Sequence, residues 1–287
     1  MKKNRYRYTT ILLMAIGLCA CESELDITGI KHVPLLVVNS LVNSDELFSV
    51  QVSTTIPLKD TLYPKFIETA KVSVFDGVTL LAVLPYDLGA EKYVGSFKPS
   101  PGKIYTVMVE KTSFYTASGS MKLPEKLNSP SAKWMDNTGI DSLGFATGTI
   151  TCFVADPQKD RNYYEINLYR YDDFDQSWYT VIPLPTDPLL NENAIRTEKG
   201  GMLIDDRNFN GLTKEFGFVT PFGSAGTQYK FLVEVRSLSD DYYRYLESLA
   251  NYRSTSGLFS DPSPVFSNIA NGRGICAGSS IEKDTIQ

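Results

Sequence analysis

Histidine and positive charge are scarce in this sequence, and both shortages exclude classes of function. His32 is the only histidine in 287 residues, so neither a Ser-His-Asp triad nor a His-rich zinc site can be assembled. Lysine and arginine number 28 against 33 aspartates and glutamates, which gives a formal net charge of −5. Because nucleic-acid binding requires a basic surface, we expect no nucleic-acid partner.

Long apolar runs are missing beyond the N-terminus, and cysteines are few. A bilayer-spanning helix needs about 20 mainly apolar residues, and no later part of the chain offers such a run. The four cysteines are Cys19, Cys21, Cys152 and Cys276. The sequence leaves open whether Cys152 and Cys276 form a disulfide, and isolated buried thiols are the default expectation.

The residues that are abundant favour strands and turns. The sequence has 17 tyrosines, 15 phenylalanines, 20 glycines and 15 prolines, types that are frequent in strands or in turns. Apolar and polar residues alternate over residues 48–52, 105–109 and 228–236, which predicts half-buried strands. The pair Asp76-Gly77 predicts a two-residue hairpin turn.

These patterns predict a mainly β fold with two β-sandwich-like domains and one short helix in the second. The N-terminal domain, residues 33–124, has the strand rhythm of an immunoglobulin-like or transthyretin-like sandwich. The C-terminal β-rich domain covers residues 125–287, after a proline-containing linker.

The helix is predicted near residues 239–252. Ser239 is the expected N-cap, because a serine hydroxyl can accept hydrogen bonds from the free N–H groups of the first turn. Tyr242, Tyr245 and Leu249 recur at helical spacing, so we expect these three side chains to pack on the second sheet.

The N-terminus is typical of a lipoprotein signal peptide. Basic residues precede a short apolar stretch over residues 9–18, and Leu18-Cys19-Ala20-Cys21 resembles a bacterial lipobox. We therefore predict a signal peptide over residues 1–20 and a lipid on Cys21 as the membrane anchor. Residues 21–32 form the expected tether, and no other cofactor is indicated. An ordinary secretory signal with a chance cysteine is the alternative.

Residues 206–211 read D-x-N-x-N-G, the opening of a calcium-binding loop. Asp206, Asn208 and Asn210 are the candidate oxygen ligands. The twelfth position is Gly217, where such a loop needs a bidentate glutamate. A polar Asn-Gly turn between strands explains the same residues. We predict no metal site and keep calcium as the alternative.

Carboxylates and aromatics also cluster. Adjacent acids occur at Asp172-Asp173, Asp205-Asp206 and Asp240-Asp241, but strand neighbours point to opposite faces, so we predict no catalytic residues. The aromatic residues with a possible binding role are Tyr163, Tyr164, Trp178, Tyr179, Tyr242 and Tyr243. A sandwich core explains them better than a stacking platform for a sugar or peptide.

Five segments carry a resemblance to a known family. They are Asp156-Pro157, Asn162-Tyr163-Tyr164, residues 206–211, SLSDDYYRYLESL at 237–249 and SNIANGRGI at 267–275. In that order they resemble the uncharacterised Bacteroidota lipoproteins known as domain of unknown function 4249. The resemblance implies an outer-membrane lipoprotein, often encoded beside a TonB-dependent receptor, and implies no established activity. Cys276 stands where an aromatic is expected in that family.

The function expected from these features is non-catalytic. We predict an outer-membrane lipoprotein that faces the cell surface or the periplasm and acts as a binding or accessory subunit of a TonB-dependent transporter. A carboxylate-based hydrolase of glycans or peptides and a structural surface adhesin are the alternatives. The ligand is not determined by the sequence.

Overall fold

The structure is a computed structural model that describes residues 32–57, 65–128, 130–158, 160–192, 194–223, 228–255 and 263–287. The predicted signal peptide, Cys21 and nearly all of the predicted tether lie outside the described residues. Residues 34–287 form one compact unit. The predicted boundary at residues 124 and 125 stays a prediction.

Strands dominate the described chain. The first nine are β1 (Leu36–Asn43), β2 (Ser49–Thr54), β3 (Lys71–Asp76), β4 (Thr79–Leu84), β5 (Tyr86–Asp87), β6 (Lys92–Val94), β7 (Ile104–Glu110), β8 (Ala117–Lys122) and β9 (Ser131–Ile140). The others are β10 (Ala146–Ala155), β11 (Tyr163–Asp172), β12 (Ser177–Val181), β13 (Leu184–Pro185), β14 (Ile195–Arg196), β15 (Met202–Asp205), β16 (Thr213–Thr220), β17 (Phe231–Leu238) and β18 (Gly272–Ile286). The helices within the described ranges are α1 (Pro188–Glu192) and α2 (Asp240–Thr255).

The strands form one long sheet and two sheets of four strands. The long sheet has the order β14-β15-β11-β17-β18-β1-β2-β6-β5, and β12 pairs with β11 beside that path. The smaller sheets have the orders β4-β3-β7-β8 and β13-β16-β10-β9. β18 pairs in parallel with β1 and antiparallel with β17, so one strand joins N-terminal and C-terminal strands in a single sheet.

Two apolar cores confirm the prediction of two β-sandwich-like packings. One lies between β1 and β2 of the long sheet and the β4-β3-β7-β8 sheet, and Val38, Val50 and Val107 are fully buried in it. The other lies between β11 and β17 and the β13-β16-β10-β9 sheet, and contains Ile166 and Phe218. The alternating apolar residues of each strand supply these inward faces.

The predicted hairpin forms, but its turn is displaced by one residue. Asp76 pairs with Thr79, so the two loop residues are Gly77 and Val78 rather than Asp76 and Gly77. Gly77 has a φ of 59°, which a glycine adopts without strain. Asp76 is therefore free to accept a hydrogen bond from Lys103 at 2.6 Å across the sheet.

Helix α2 begins where the sequence predicts. The backbone N–H of Tyr242 donates to the hydroxyl of Ser239 at 3.3 Å, and the N–H of Tyr243 donates to the Ser239 carbonyl at 3.0 Å. Asp240 and Asp241 occupy the first turn, where the helix dipole favours negative charge.

The buried face of α2 differs in part from the expected one. Tyr242 and Tyr243 are buried, Tyr245 is only partly buried, and Leu249 lies outside the cluster that the helix forms with the long sheet. Tyr243 packs inward because its ring stacks on Tyr163 of β11, with 4.5 Å between ring centroids.

Candidate functional site

Asp156 joins three of the segments that carry the family resemblance. Its carboxylate accepts a hydrogen bond from the hydroxyl of Tyr164 and another from the backbone N–H of Gly211, the latter at 2.7 Å. Asp156 and Tyr164 are both buried. Burial, together with the neighbouring carboxylate of Asp156, raises the pKa of the Tyr164 hydroxyl. The proton therefore stays on the phenol, and the contact holds the β15–β16 loop against β11.

Asp206 secures the same loop at its other end. Its side chain is 1% exposed, and one carboxylate oxygen accepts hydrogen bonds from the backbone N–H of Asn162 at 2.8 Å and from the Asn162 amide at 3.4 Å. The other calcium candidates, Asn208 and Asn210, are exposed. Asp206 is thus engaged within the protein, and the expectation of no metal site at this loop, with calcium as the alternative, stays a prediction.

Metal-ligating side chains are dispersed through the described part of the chain. Within it, no group of three or more histidine, cysteine, aspartate or glutamate side chains is placed to hold a metal ion. Asp205 and Asp206 bind different partners: Asp205 pairs with Arg161 at 3.0 Å and with Arg207 at 2.6 Å, whereas Asp206 binds Asn162.

Two buried glutamates share one arginine on the long sheet. Glu165 of β11 lies 3.3 Å from one terminal nitrogen of Arg236, and Glu234 of β17 lies 3.0 Å from the other. The two glutamate residues are only 3% and 5% exposed. Thr197 donates a further hydrogen bond to Glu165 at 2.8 Å, and Lys283 of β18 pairs with Glu234 at 3.4 Å.

This cluster has the charge balance of a structural site. Carboxylate-based glycoside hydrolysis needs two carboxyl groups that flank a substrate in an open cleft. Glu165 and Glu234 instead face the guanidinium of Arg236, and solvent barely reaches either glutamate. Lys283 supplies the second positive charge that balances the pair. Sequence reasoning missed the cluster because its members are far apart along the chain. The available signal was a glutamate inside the apolar run Leu232–Val235, since a charge is seldom buried without a partner.

The six candidate aromatics do not form one platform. Tyr163, Tyr164, Tyr242 and Tyr243 are buried, whereas Trp178 and Tyr179 of β12 are 38% and 48% exposed. The ring of Trp178 lies 5.1 Å from that of Tyr171, and the ammonium of Lys230 lies over both rings. Four of the six therefore serve the core or the helix contact, and two remain accessible at the surface.

An apolar pocket lies beside Tyr179. It has a volume of about 350 Å³ and is lined by Arg170, Tyr179, Thr180, Val181, Ile182, Leu184, Pro221 and Phe222. The guanidinium of Arg170 binds Asp172 at 2.6 Å and lies 5.0 Å from the Phe222 ring centroid. One charged group among apolar walls suits an apolar or aromatic group of a ligand. Of these residues, the sequence singled out only Tyr179.

The two described cysteines are free and lie in different cores. Cys152 belongs to the second sandwich core and Cys276 to the first. Burial raises the pKa of each thiol to about 12, so neither is a thiolate at neutral pH. The default expectation of isolated buried cysteines is therefore confirmed.

The last resemblance segment holds β18 in place. The side chain of Asn268 accepts a hydrogen bond from the backbone N–H of Cys276 and donates one to its carbonyl, both at 2.8 Å. The same amide donates to Asp241 of α2 at 2.9 Å. Asn271 and Gly274 adopt positive φ values of 54° and 110°. Through Asn268 the segment links α2 to β18, which is an architectural role.

The fold and the site together define a class of protein. It is a mainly β protein in which two sandwich cores share one long sheet, with buried charge networks and an apolar pocket between strands. The chain belongs to the family described as Domain of unknown function (DUF4249), whose model matches residues 22–285. The family membership predicted from the five sequence segments is thus confirmed, and the Bacteroidota source and the lipoprotein character stay predictions.

Similarity to other known proteins is slight. No curated protein matches this chain. The crystal structure of a Salmonella alpha-2-macroglobulin mutant is similar at a TM-score of 0.27 and 10% identity, over 92% of this chain and 15% of that one. This chain thus spans a small part of that protein, and the similarity supports no functional inference. No described helix is long and apolar enough to cross a membrane.

Proposed function

We propose that the protein is a Bacteroidota outer-membrane lipoprotein, anchored through Cys21 and serving as a non-catalytic binding subunit of a TonB-dependent transporter. The lipobox-like segment Leu18-Cys19-Ala20-Cys21 supports the anchor. Binding is supported by the apolar pocket beside Tyr179, which accepts an apolar group without placing reactive side chains around it. The subunit faces the cell surface or the periplasm.

The pocket is the observation that carries the binding part of this proposal. Apolar concave sites with one or two fixed polar groups are the usual form of a binding site. The hydrolase alternative has less support, because the best pair of buried carboxylates, Glu165 and Glu234, is held by Arg236. No observation favours the adhesin alternative over a transporter subunit.

Replacement of Cys21 tests the anchor. In Cys21→Ala we expect the protein to remain as a precursor or to leave the membrane fraction, because the acyl chains are its proposed anchor. The matched control is Cys19→Ala, which leaves the proposed acylation site intact. Mass spectrometry of the N-terminus and detergent partitioning report the result. A mature chain that begins elsewhere, without acyl mass, would disprove the anchor.

Purification of the full chain from detergent-solubilised outer membranes tests the partner. We expect a TonB-dependent receptor in stoichiometric amount, and its loss in Ile182→Asp, which places a charge on the pocket wall. Val78→Asp is the control, because Val78 is 98% exposed in a turn outside the pocket. If the unsubstituted chain captures no receptor, the proposed partner is contradicted. If Ile182→Asp and Val78→Asp capture equal amounts of receptor, the pocket is not the site of receptor binding.

A further inference from the structure

The β9–β10 hairpin extends beyond the sheet to which it belongs. β10 pairs with β16 only from Gly148 to Ala155, whereas its pairing with β9 continues to Ala146 opposite Ile140. Residues 137–147 therefore form a ribbon two strands wide. Its end carries three large apolar side chains, Ile140, Leu143 and Phe145, which are 74%, 78% and 64% exposed. We call these three residues the apolar tip.

The backbone of the apolar tip is hydrogen-bonded within the turn. The carboxylate of Asp141 accepts hydrogen bonds from the N–H groups of Leu143 at 2.9 Å and Phe145 at 2.8 Å. The N–H of Asp141 donates to the Phe145 carbonyl at 2.8 Å, and the N–H of Gly144 donates to the Asp141 carbonyl at 3.1 Å. Polar backbone groups can enter an apolar medium only when they are bonded internally. Four N–H groups of the turn meet this requirement, and its three apolar side chains are exposed.

The shape of the ribbon favours a bilayer over a protein as its partner. A stable protein interface buries about 800 Å² on each side, which requires a broad complementary surface. Three side chains on a ribbon two strands wide supply much less, whereas a lipid interface accepts apolar side chains without shape complementarity. Residues 134–155 contain no lysine or arginine, so attraction to anionic headgroups is not the driving force.

We propose that the apolar tip inserts into the interface of a zwitterionic bilayer as a second membrane contact. This inference rests on the proposed lipid anchor, which would keep the protein close to the membrane. Residues 21–33 span at most about 45 Å when fully extended. The tether thus confines the body near the bilayer at high effective concentration, and a weak apolar contact becomes populated. Two contacts would restrict the orientation of the body on the membrane.

Tryptophan quenching by brominated lipid tests this contact. The acylated full chain, carrying Phe145→Trp, is reconstituted in phosphatidylcholine vesicles with bromine at mid-chain positions. We expect blue-shifted emission and quenching at least twofold above that of the unsubstituted chain, whose Trp134 and Trp178 give the background. The matched control is Phe174→Trp, because Phe174 is 99% exposed in another hairpin turn. Equal quenching of the two variants would overturn the proposal.

Flotation of the same vesicles distinguishes failure of this proposal from failure of the proposed lipid anchor at Cys21. Flotation that depends on Cys21, together with quenching of Phe145→Trp, supports both contacts. Flotation that depends on Cys21 without this quenching retains the anchor and refutes the apolar tip. Quenching of Phe145→Trp that persists in Cys21→Ala at high lipid concentration supports the tip, even if the anchor has failed. Addition of Leu143→Asp should abolish the quenching, and its persistence would also refute insertion.

Discussion

At the scale of single residues, three buried carboxylates of this protein accept hydrogen bonds from other parts of the chain. Asp156, Asp206 and Glu165 each accept hydrogen bonds from groups more than five residues away in sequence. These contacts fix loops and strands, and an unpaired buried charge in any of them would cost several kcal/mol. Asp206, which the sequence offered as a candidate for chemistry, is therefore best understood as a structural group.

Asp156→Ala should lower the free energy of unfolding by about 3–5 kcal/mol, because it leaves the Tyr164 hydroxyl and the Gly211 N–H without their partner. Tyr164→Phe removes one hydrogen bond to a charged group and should cost about 1.5–3 kcal/mol. Urea unfolding measures both changes. The exposed Asp173→Ala is the control and should change stability by no more than about 0.5 kcal/mol. A loss in Asp156→Ala as small as the control would contradict this role.

Asp205 should contribute to the pH dependence of stability. Burial raises the pKa of its carboxyl, but hydrogen bonds from Arg207 and Arg161 outweigh burial and hold the pKa below 3.8. A carboxyl whose pKa is lowered in the folded state stabilises the protein at pH values above its ordinary, unfolded-state pKa. This contribution is lost as the pH falls through the folded-state pKa. Asp205→Asn should therefore lose less free energy of unfolding between pH 7 and pH 3 than the unsubstituted chain.

Asp173→Asn is the control for this pH experiment, because it removes the same charge from an exposed residue and leaves Asp205, Arg161 and Arg207 in place. Equal losses in Asp205→Asn and the unsubstituted chain would show that the ion pairs of Asp205 do not stabilise the fold.

At the scale of elements, β18 connects the N-terminal strand β1 to the C-terminal strand β17, and α2 is bonded to the segment that leads into β18. β18 lies between β1 and β17 and contributes Cys276 to the first core. Helix α2 covers the opposite face of the long sheet and is bonded to the β18 segment through Asn268. The resemblance segments at 237–249 and 267–275 overlap these two elements, and packing rather than chemistry explains them.

Tyr243→Ala should destabilise the protein by about 3–5 kcal/mol, because it removes a buried aromatic ring that stacks on Tyr163. Tyr245→Ala should cost less, since its side chain is only partly buried. Tyr252, 41% exposed on the same helix, supplies the control Tyr252→Ala. Thermal denaturation should rank the losses as Tyr243, Tyr245, Tyr252. Near-native stability of Tyr243→Ala would instead favour the view of these tyrosines as a binding platform.

Gly274→Ala should destabilise the fold more than Gly77→Ala. A Cβ at Gly274 would lie 2.2 Å from the Val38 carbonyl oxygen, and the φ of 110° is unfavourable for any side chain. A Cβ at Gly77 meets nothing within 4 Å, so only its positive φ opposes alanine, at a cost of about 1–2 kcal/mol. Comparison of urea midpoints measures the difference. Equal urea midpoints for Gly274→Ala and Gly77→Ala would mean that β1 can move away from a Cβ at position 274 without loss of stability.

At the scale of the whole molecule, one sheet serves two cores. β1, β2, β5 and β6 lie in the same hydrogen-bonded sheet as β11, β17 and β18. The first core takes Ile269 and Cys276 from the far end of the sequence. Sequence-distant strands therefore complete the N-terminal sandwich.

The chain should accordingly unfold in one cooperative transition. Both tryptophans, Trp134 and Trp178, lie in the predicted C-terminal domain, residues 125–287, so their fluorescence reports on that domain. Hydrogen exchange of the β3 and β7 amides reports on the predicted N-terminal domain, residues 33–124. We expect the two probes to give the same urea midpoint. Two separate midpoints would instead support independent domains on either side of residue 124.

The sequence by itself determined the local structure and the family. Alternating apolar residues fixed which strand faces are buried, and Ser239 with the following acids fixed the start of α2, because these signals depend on near neighbours. Five short segments were sufficient to identify the family, which the match over residues 22–285 bears out.

Only the tertiary structure decided which distant residues meet. The parallel pairing of β1 with β18, the sharing of Arg236 by Glu165 and Glu234, and the pocket beside Tyr179 each bring together segments separated along the chain. Local propensity carries no information about such pairings, because they are set by how whole sheets cover one another. The same reason explains why Tyr243 rather than Tyr245 is buried: the position of Tyr163 on a neighbouring strand, and not helical spacing, selects the inward ring.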